Sequence, residues 1–288
     1  MARLHICFFG ITRSLRYTLP SIRKHVFAPA AAFDQVVRFG HFFSEPATAQ
    51  AADPRDAPFD PGEGRDLGCD RLALEPANAC LDLWHFDQLA AFGDAFNNDF
   101  RSLRNLVHQL HSLKQVTDAA LADGAERVLF CRPDLRYHDS LAPLYASALA
   151  ASDPKVFLPS WQPWGGCNDR FALAVGPAAI AAYGRRIERA LDYCRARGPL
   201  HAEQLLKFAL DEAGVPVSPI AMRASRIRAT GAAVAEDFGD HESAVRNARR
   251  VEAFWAMFDR SGLKPLAKAV YRPLHAMRRT LIDLGRKR

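Results

Sequence analysis

RVLFCRPDL, residues 127–135, places four apolar side chains directly before a polar turn. The apolar run predicts a buried strand, and Pro133, which has no N–H to give to a strand ladder, predicts that the chain leaves the sheet there. Helical sequence follows over residues 140–150. A strand, a polar turn and a helix in this order indicate an α/β sheet whose ligands lie at the carboxyl ends of its strands.

The same alternation continues on both sides of this stretch. Apolar runs predict strands over residues 5–11, 36–43, 155–161, 170–175 and, less regularly, 215–228. Apolar residues at helical spacing predict helices over residues 14–26, 83–92, 102–122, 177–197, 201–213 and 242–259. We therefore expect a mixed α/β sheet flanked by helices in residues 1–240. Residues 44–72, crowded with Pro, Asp, Gly and Ala, are predicted to form a long mobile loop.

The composition is that of an ordinary globular protein, with 49% hydrophobic and 24% charged residues in a chain of 288. The longest uncharged apolar stretch, 171–184, falls short of the roughly 20 residues that a membrane span needs. The apolar run at the amino end is too short for a secretory signal. Six cysteines without a C-x-x-C pair predict free thiols in a reducing compartment. These features predict a cytoplasmic protein.

The net charge of +6 is concentrated near the carboxyl end. Residues 263–288 hold eight Lys or Arg against one Asp, so the rest of the chain is close to neutral. Apolar residues recur there every three or four positions and predict a basic amphipathic helix on the inner face of an anionic membrane. The alternative is that this stripe packs on the body or on a second subunit, as in a homodimer. A near-neutral body predicts no nucleic-acid partner.

The turn at residues 132–134 offers a cation and a carboxylate at one strand end. The Arg132 guanidinium can bind two oxygens of a pyrophosphate, and an exposed Asp134 can hold a divalent cation, Mn²⁺ or Mg²⁺, that bridges them. The alternative is a plain turn in which Asp134 caps the next helix and Arg132 is solvated.

A second polar stretch, residues 161–173, is a glycine-containing loop with two tryptophans. Trp164 can stack on a flat sugar face, and Asn168, Asp169 and Arg170 offer hydrogen-bond donors and acceptors to a polyhydroxylated ligand. The alternative is a local hydrophobic plug beside a structural ion pair of Asp169 and Arg170.

The amino end supplies a third candidate, where the first predicted strand runs into a helix through Gly10, Thr12, Arg13 and Ser14. Free amides, hydroxyls and a guanidinium at a helix N-terminus form an anion site, although Ser14 also serves as an ordinary N-cap. No P-loop and no G-x-G-x-x-G motif is present, which excludes those nucleotide-binding classes. His108 and His111 lie on neighbouring turns of a predicted helix, where buried or solvated histidines are commoner than a metal pair.

Taken together, these segments resemble a group of bacterial glycosyltransferase-like proteins of the GT-A type. The matching segments are CFFGITRS at 7–14, NLVHQLHSL at 105–113, VLFCRPDL at 128–135, NDRFA at 168–172 and HAEQLL at 201–206. The resemblance implies a Rossmann-like sheet and a nucleotide-sugar donor. It places the donor on Gly10, Thr12, Arg13, Asn105, Ser112, Arg132 and Asp134. The implied acceptor, a polysaccharide or lipid-linked glycan, lies near Trp164, Asn168, Arg170 and Glu203.

The chain departs from the family at the metal motif. GT-A enzymes commonly use an Asp-x-Asp motif, and this chain contains none. Either Asp134 anchors a divalent cation with a further ligand such as His201, or Arg132 replaces much of the metal's charge. An inverting enzyme also needs a general base, for which Asp169 and Glu203 are candidates, while Arg132 stabilises the leaving group. The alternatives are a carbohydrate-binding scaffold that keeps the fold without catalysis, and a nucleotide-sugar hydrolase or nucleotidyltransferase.

Overall fold

The computed structural model describes residues 1–44, 60 and 62–239. The predicted helix over 242–259, the basic tail at 263–288 and most of the predicted loop lie outside these residues. None of the helices in the described part combines the length and apolar composition that crossing a bilayer requires. All six cysteines are free thiols.

The described residues form nine strands. In chain order they are β1 (Arg3–Gly10), β2 (Gln35–Phe43), β3 (Arg71–Glu75), β4 (Arg127–Cys131), β5 (Leu135–Tyr137), β6 (Lys155–Pro159), β7 (Ala172–Val175), β8 (Val217–Ile220) and β9 (Ala224–Arg226).

Eight α-helices accompany these strands. They are α1 (Leu15–Ile22), α2 (Ala79–Leu83), α3 (Phe86–Ala90), α4 (Arg101–Ala122), α5 (Ala142–Ala150), α6 (Pro177–Gly184), α7 (Ala190–Arg197) and α8 (Ala202–Glu212). Shorter helical turns lie at Arg23–Phe27, Ala28–Ala32, Glu63–Leu67 and Arg186–Arg189.

Seven strands make one mixed sheet in the order β3-β2-β1-β4-β7-β6-β8. Strands β1, β2, β3 and β4 run parallel to one another, whereas β7 is antiparallel to both of its neighbours. A separate antiparallel pair, β5 with β9, lies directly after the polar turn that ends β4. The predicted α/β class, a mixed sheet flanked by helices, is confirmed.

Successive side chains of β1 pack into two different cores, one on each face of the sheet. Cys7 and Phe9 lie in the core that includes α4, α6 and α8, whereas Ile6 and Phe8 lie in the core that includes α1 and α5. Because both faces are covered, the central strands carry continuous apolar runs. Because β1 and β4 are neighbouring parallel strands, the polar groups that follow them lie at the same edge of the sheet.

Four predicted elements differ from the structure. The predicted strand over 215–228 is two strands, β8 and β9, which belong to different sheets. Strand β3 and the helical turn Glu63–Leu67 lie partly inside the predicted 44–72 loop. The predicted 83–92 helix is two short helices, separated by His85 in a left-handed conformation (φ 51°). The predicted 177–197 helix is broken after Gly184, and the Arg186 side chain turns into the protein, where it is buried.

Candidate functional site

The turn after β4 is built around a single ion pair. Arg132 donates from Nε to one carboxylate oxygen of Asp134 (3.0 Å) and from Nη2 to the other (2.8 Å). Asp134 is only 4% exposed, so the expectation of an exposed carboxylate is wrong. The pKa of Asp134 is lowered, because the charges of Arg132, Arg13 and Arg226 outweigh the effect of burial, which raises it. The Asp134 carboxylate therefore stays ionised, and the Arg132 guanidinium covers both of its oxygens.

Two backbone contacts hold this turn in place. The Thr18 hydroxyl on α1 donates to the carbonyl of Pro133 (2.5 Å). On the other side, the N–H of Ile227, directly after β9, donates to the carbonyl of Asp134 (2.8 Å). The turn is thereby clamped between α1 and β9, and its side chains keep a fixed orientation.

Gln109 on α4 connects the turn to the second polar stretch. Its side-chain oxygen accepts a hydrogen bond from Arg132 (2.9 Å), and its nitrogen donates to Asp169 (3.1 Å). Asp169 is buried and pairs with Arg170 (3.5 Å). Burial raises the pKa of Asp169, but the charges of Arg170 and Arg132 outweigh burial and lower the pKa below its ordinary value, so that this carboxyl is ionised. Residues from two predicted sites thus form one hydrogen-bonded network.

Asn168 shapes the loop that precedes this network. Its amide nitrogen donates to the carbonyl of Trp161 (2.6 Å), and its oxygen accepts from the N–H of Arg170 (2.9 Å). The Asn168 side chain is therefore engaged with the backbone of its own loop. Trp164 is 49% exposed in a left-handed conformation (φ 40°), with the Arg170 guanidinium 5.5 Å from its ring centre. An exposed aromatic face is thus fixed at the border of a buried polar centre.

Glu203, in the first turn of α8, is the second acid of the centre. It is 5% exposed, and burial together with the negative charge of Asp169 raises its pKa to about 7. The N–H of Cys167 donates to the Glu203 carbonyl (2.9 Å), which joins the tryptophan loop to the start of α8. The two carboxyls differ in protonation, as a general base and an ionised partner do.

The ligands expected for a cation at the turn are not brought together. Both oxygens of Asp134 accept hydrogen bonds from Arg132, so a cation there would have to displace the guanidinium. His201 lies 3.3 Å from Glu203, and in the described part of the chain no contact joins it to Asp134. The residues at this turn do not fit a divalent cation.

A different group of residues has ligand atoms close enough to hold a metal ion, namely His41 on β2, Glu75 on β3 and His111 on α4. Glu75 lies 3.4 Å from His41 and 2.5 Å from His111. The indole N–H of Trp84, however, donates to Nδ1 of His111 (2.9 Å). Histidine ligands normally donate from their second nitrogen, so this contact opposes coordination through Nε2.

The predicted donor residues at the amino end are only partly brought together. Ser112 accepts a hydrogen bond from the N–H of Gly10 (2.9 Å) and donates to the carbonyl of His41 (2.6 Å). Thr12 is buried in the loop that follows β1. Asn105 is exposed on α4, and in the described residues no hydrogen bond joins it to the others.

The structure adds residues to the site that the sequence motifs did not single out. Besides Gln109, these are Arg186, whose charge acts on Asp169, and Arg226, whose charge acts on Asp134. Glu236 pairs with Arg170 (3.7 Å), although its neighbours along the chain are exposed. The sequence did offer one signal for Arg226, because three arginines, at 223, 226 and 228, lie close together in a predicted strand.

No family model matches the chain, and no curated protein matches it either. Among solved structures, it is similar to mouse xyloside xylosyltransferase 1 in its apo form, with 11% identity, a TM-score of 0.40, and coverage of 76% of this chain and 85% of that one. It is also similar to a Bacillus anthracis protein described as a putative glucose-1-phosphate thymidylyltransferase, in complex with sucrose. The identity is 12%, the TM-score is 0.37, and the match covers 86% of this chain and 96% of that one. A third similar structure is galactosyltransferase LgtC in complex with donor and acceptor sugar analogs. The identity is 16%, the TM-score is 0.41, and the match covers 74% of this chain and 73% of that one. All three are named as transferases.

Proposed function

We propose that this protein is a GT-A-type glycosyltransferase that moves a sugar from a nucleoside-diphosphate donor to a glycan or lipid-linked acceptor. The observation that carries the proposal is the buried pair of Glu203 and Asp169, on which the charges of Arg132 and Arg170 act. A base with a pKa near 7 and a cluster of cations are the two elements that such a transfer needs. The sequence resemblance described above supports the same activity.

In this proposal Glu203 is the general base. Its carboxylate takes the proton of the acceptor hydroxyl while the acceptor oxygen forms a bond to the anomeric carbon. The bond between that carbon and the donor phosphate breaks, and its electron pair leaves with the nucleoside diphosphate. Asp169, held by Arg170 and Gln109, stays ionised and keeps the pKa of Glu203 high.

Trp164 is assigned to the acceptor. Its exposed ring and the adjacent Arg170 suit stacking on one face of a sugar and hydrogen bonding to its hydroxyls. The Asn168 amide holds this loop against Trp161, so the platform is present before a substrate binds. Cell-surface glycan synthesis is the process that such an acceptor indicates.

The proposal is tested by measuring release of nucleoside diphosphate from a panel of nucleotide sugars, with and without sugar acceptors. We expect Glu203→Gln to lower kcat by about 10²-fold or more. The wild-type rate should rise with pH through about 7, because a base acts only after it has lost its proton. Glu212→Gln, an exposed glutamate at the end of the same helix, is the control and should be unchanged.

Each other outcome counts against the proposal in a defined way. A Glu203→Gln variant as active as the wild type would remove Glu203 from the mechanism. Release that does not depend on an acceptor would identify a hydrolase. Binding of free sugars without affinity for any nucleotide would identify a carbohydrate-binding scaffold.

A further inference from the structure

The centre of the site contains more positive charge than its own carboxylates compensate. Arg132 is paired with Asp134, and Arg170 lies between Asp169 and Glu236. By contrast, the guanidinium groups of Arg13 and Arg226 have no hydrogen-bond or ion-pair partner among the described residues, and the Nε atom of each is buried. Both side chains are only partly buried, but a buried guanidinium N–H is ordinarily paired, so two such groups together point to an anion-binding position.

Both unpaired arginines are fixed next to the 132–134 turn. Arg226 pairs with Leu135 in the register of β5 and β9, and the residue after it hydrogen-bonds the Asp134 carbonyl. Arg13 precedes α1, the helix that Thr18 ties to Pro133. The charges of both arginines act on Asp134. Three guanidinium groups, counting Arg132, therefore converge on one turn from three separate elements.

The charges around Arg226 favour an anion there. Burial, together with the nearby charges of Arg132 and Arg170, lowers the pKa of Arg226 to about 10. Glu236, the acid nearest in sequence, does not neutralise this charge, because its carboxylate accepts from the Arg226 backbone N–H (3.4 Å) and pairs with Arg170. A multiply charged anion with several oxygens fits this environment, since each guanidinium can bind two oxygens at once.

We propose that Arg13, Arg132 and Arg226 bind the diphosphate of the donor directly, with no divalent cation between them. The inference rests on the proposed function and names its binding chemistry. The guanidinium groups supply the positive charge that a metal ion supplies elsewhere, and Asp134 orients Arg132 in place of ligating a metal. Arg226 is thereby a donor-binding residue.

The test is calorimetric titration of the full-length protein with inorganic pyrophosphate, once in EDTA and once in Mn²⁺. We expect binding in EDTA, with an affinity that Mn²⁺ changes by less than about threefold. Arg226→Ala should weaken binding about tenfold or more, the usual loss for a charge-assisted hydrogen bond. Arg226→Lys, which keeps the charge and loses the two-pronged geometry, should fall between, and it covers the case in which the alanine variant fails to fold.

Arg195→Ala is the matched control, because it removes one positive charge from an exposed position on α7 that pairs only with Asp192 among the described residues. Its affinity for pyrophosphate should equal that of the wild type. Binding that requires Mn²⁺, or an Arg226→Ala variant that binds as tightly as the wild type, would overturn the inference and leave the proposed function standing. Absence of pyrophosphate and nucleoside-diphosphate binding in both buffers would instead contradict the proposed function itself.

Discussion

Asp134 accepts hydrogen bonds on both carboxylate oxygens from the guanidinium of Arg132, two residues away. Because this pair is almost completely buried, each partner depends on the other for its charge. Removing the carboxylate leaves Arg132 facing Arg13 and Arg226 without compensation. A single residue thus links the stability of the turn to its affinity for anions.

Asp134→Asn is expected to destabilise the protein by about 3 kcal/mol, the usual cost of breaking a buried ion pair. Added pyrophosphate should raise the melting temperature of this variant more than that of the wild type, since the anion replaces the lost negative charge. Thermal unfolding with and without pyrophosphate measures both effects.

Asp139→Asn provides the control, because Asp139 makes a similar two-pronged pair with Arg223 in a partly exposed position. Exposed pairs contribute little to stability, so this variant should lose less than about 1 kcal/mol. Equal losses of unfolding free energy in the two variants would show that burial does not make the Asp134 pair more important for stability than the exposed one.

The tryptophan loop and α8 approach each other more closely than side chains allow. A Cβ added at Gly166 would lie 2.0 Å from the Glu203 carbonyl oxygen, which is backbone and cannot turn aside. The same carbonyl accepts the N–H of Cys167. Glycine at 166 is therefore required to bring the acceptor platform against the proposed base.

Gly166→Ala should push the loop away from α8 and lower both the melting temperature and the transfer rate. Gly62→Ala is the control, since the nearest atom to its added Cβ is a movable Asp60 side-chain oxygen at 3.0 Å. Melting curves and initial rates for the two variants make the comparison. A Gly166→Ala variant with wild-type stability and rate would show that the loop can shift without consequence.

Four buried histidines couple the stability of the whole molecule to pH. Burial lowers the pKa of His5, His41, His108 and His111 below the ordinary value of 6.5. As the pH falls below about 6.5, the unfolded chain takes up protons that the folded protein excludes. Their contribution to stability is therefore present at pH 7.5 and is lost on acidification.

The free energy of unfolding should decrease between pH 7.5 and 5.5, by up to about 1.4 kcal/mol per pH unit for each such histidine. His108→Gln should make this dependence shallower, whereas His85→Asn, at an exposed position whose left-handed backbone Asn tolerates, should not. Urea unfolding at several pH values measures the slopes. Parallel slopes for the wild type and His108→Gln would contradict the assignment.

Local sequence was sufficient to predict most elements of the fold. The apolar runs of β1, β2 and β4 are long because these strands are covered on both faces, and the periodicity of α4 follows from one face packed against the sheet. Strand β3 was missed, because it lies at the sheet edge with three of its five residues exposed and its apolar run, 72–74, is only three residues long. At the break after Gly184 the only local signal was the glycine itself, which is also tolerated inside helices, and its close packing against Thr117 is a tertiary contact.

At the candidate site, the sequence by itself determined which polar groups stand at the ends of β1 and β4 and in the 161–173 loop, because proline, glycine and charged residues interrupt apolar runs there. Only the tertiary structure decided that Arg132 covers Asp134, that Gln109 joins this pair to Asp169, and that Arg226 arrives from β9. The contacts of Gln109 and the arrival of Arg226 join residues far apart in the chain, and the Arg132–Asp134 pair, although local, is buried only because the rest of the fold covers it. The pKa values and the charge balance of the site follow from that three-dimensional arrangement, and no local pattern contains them.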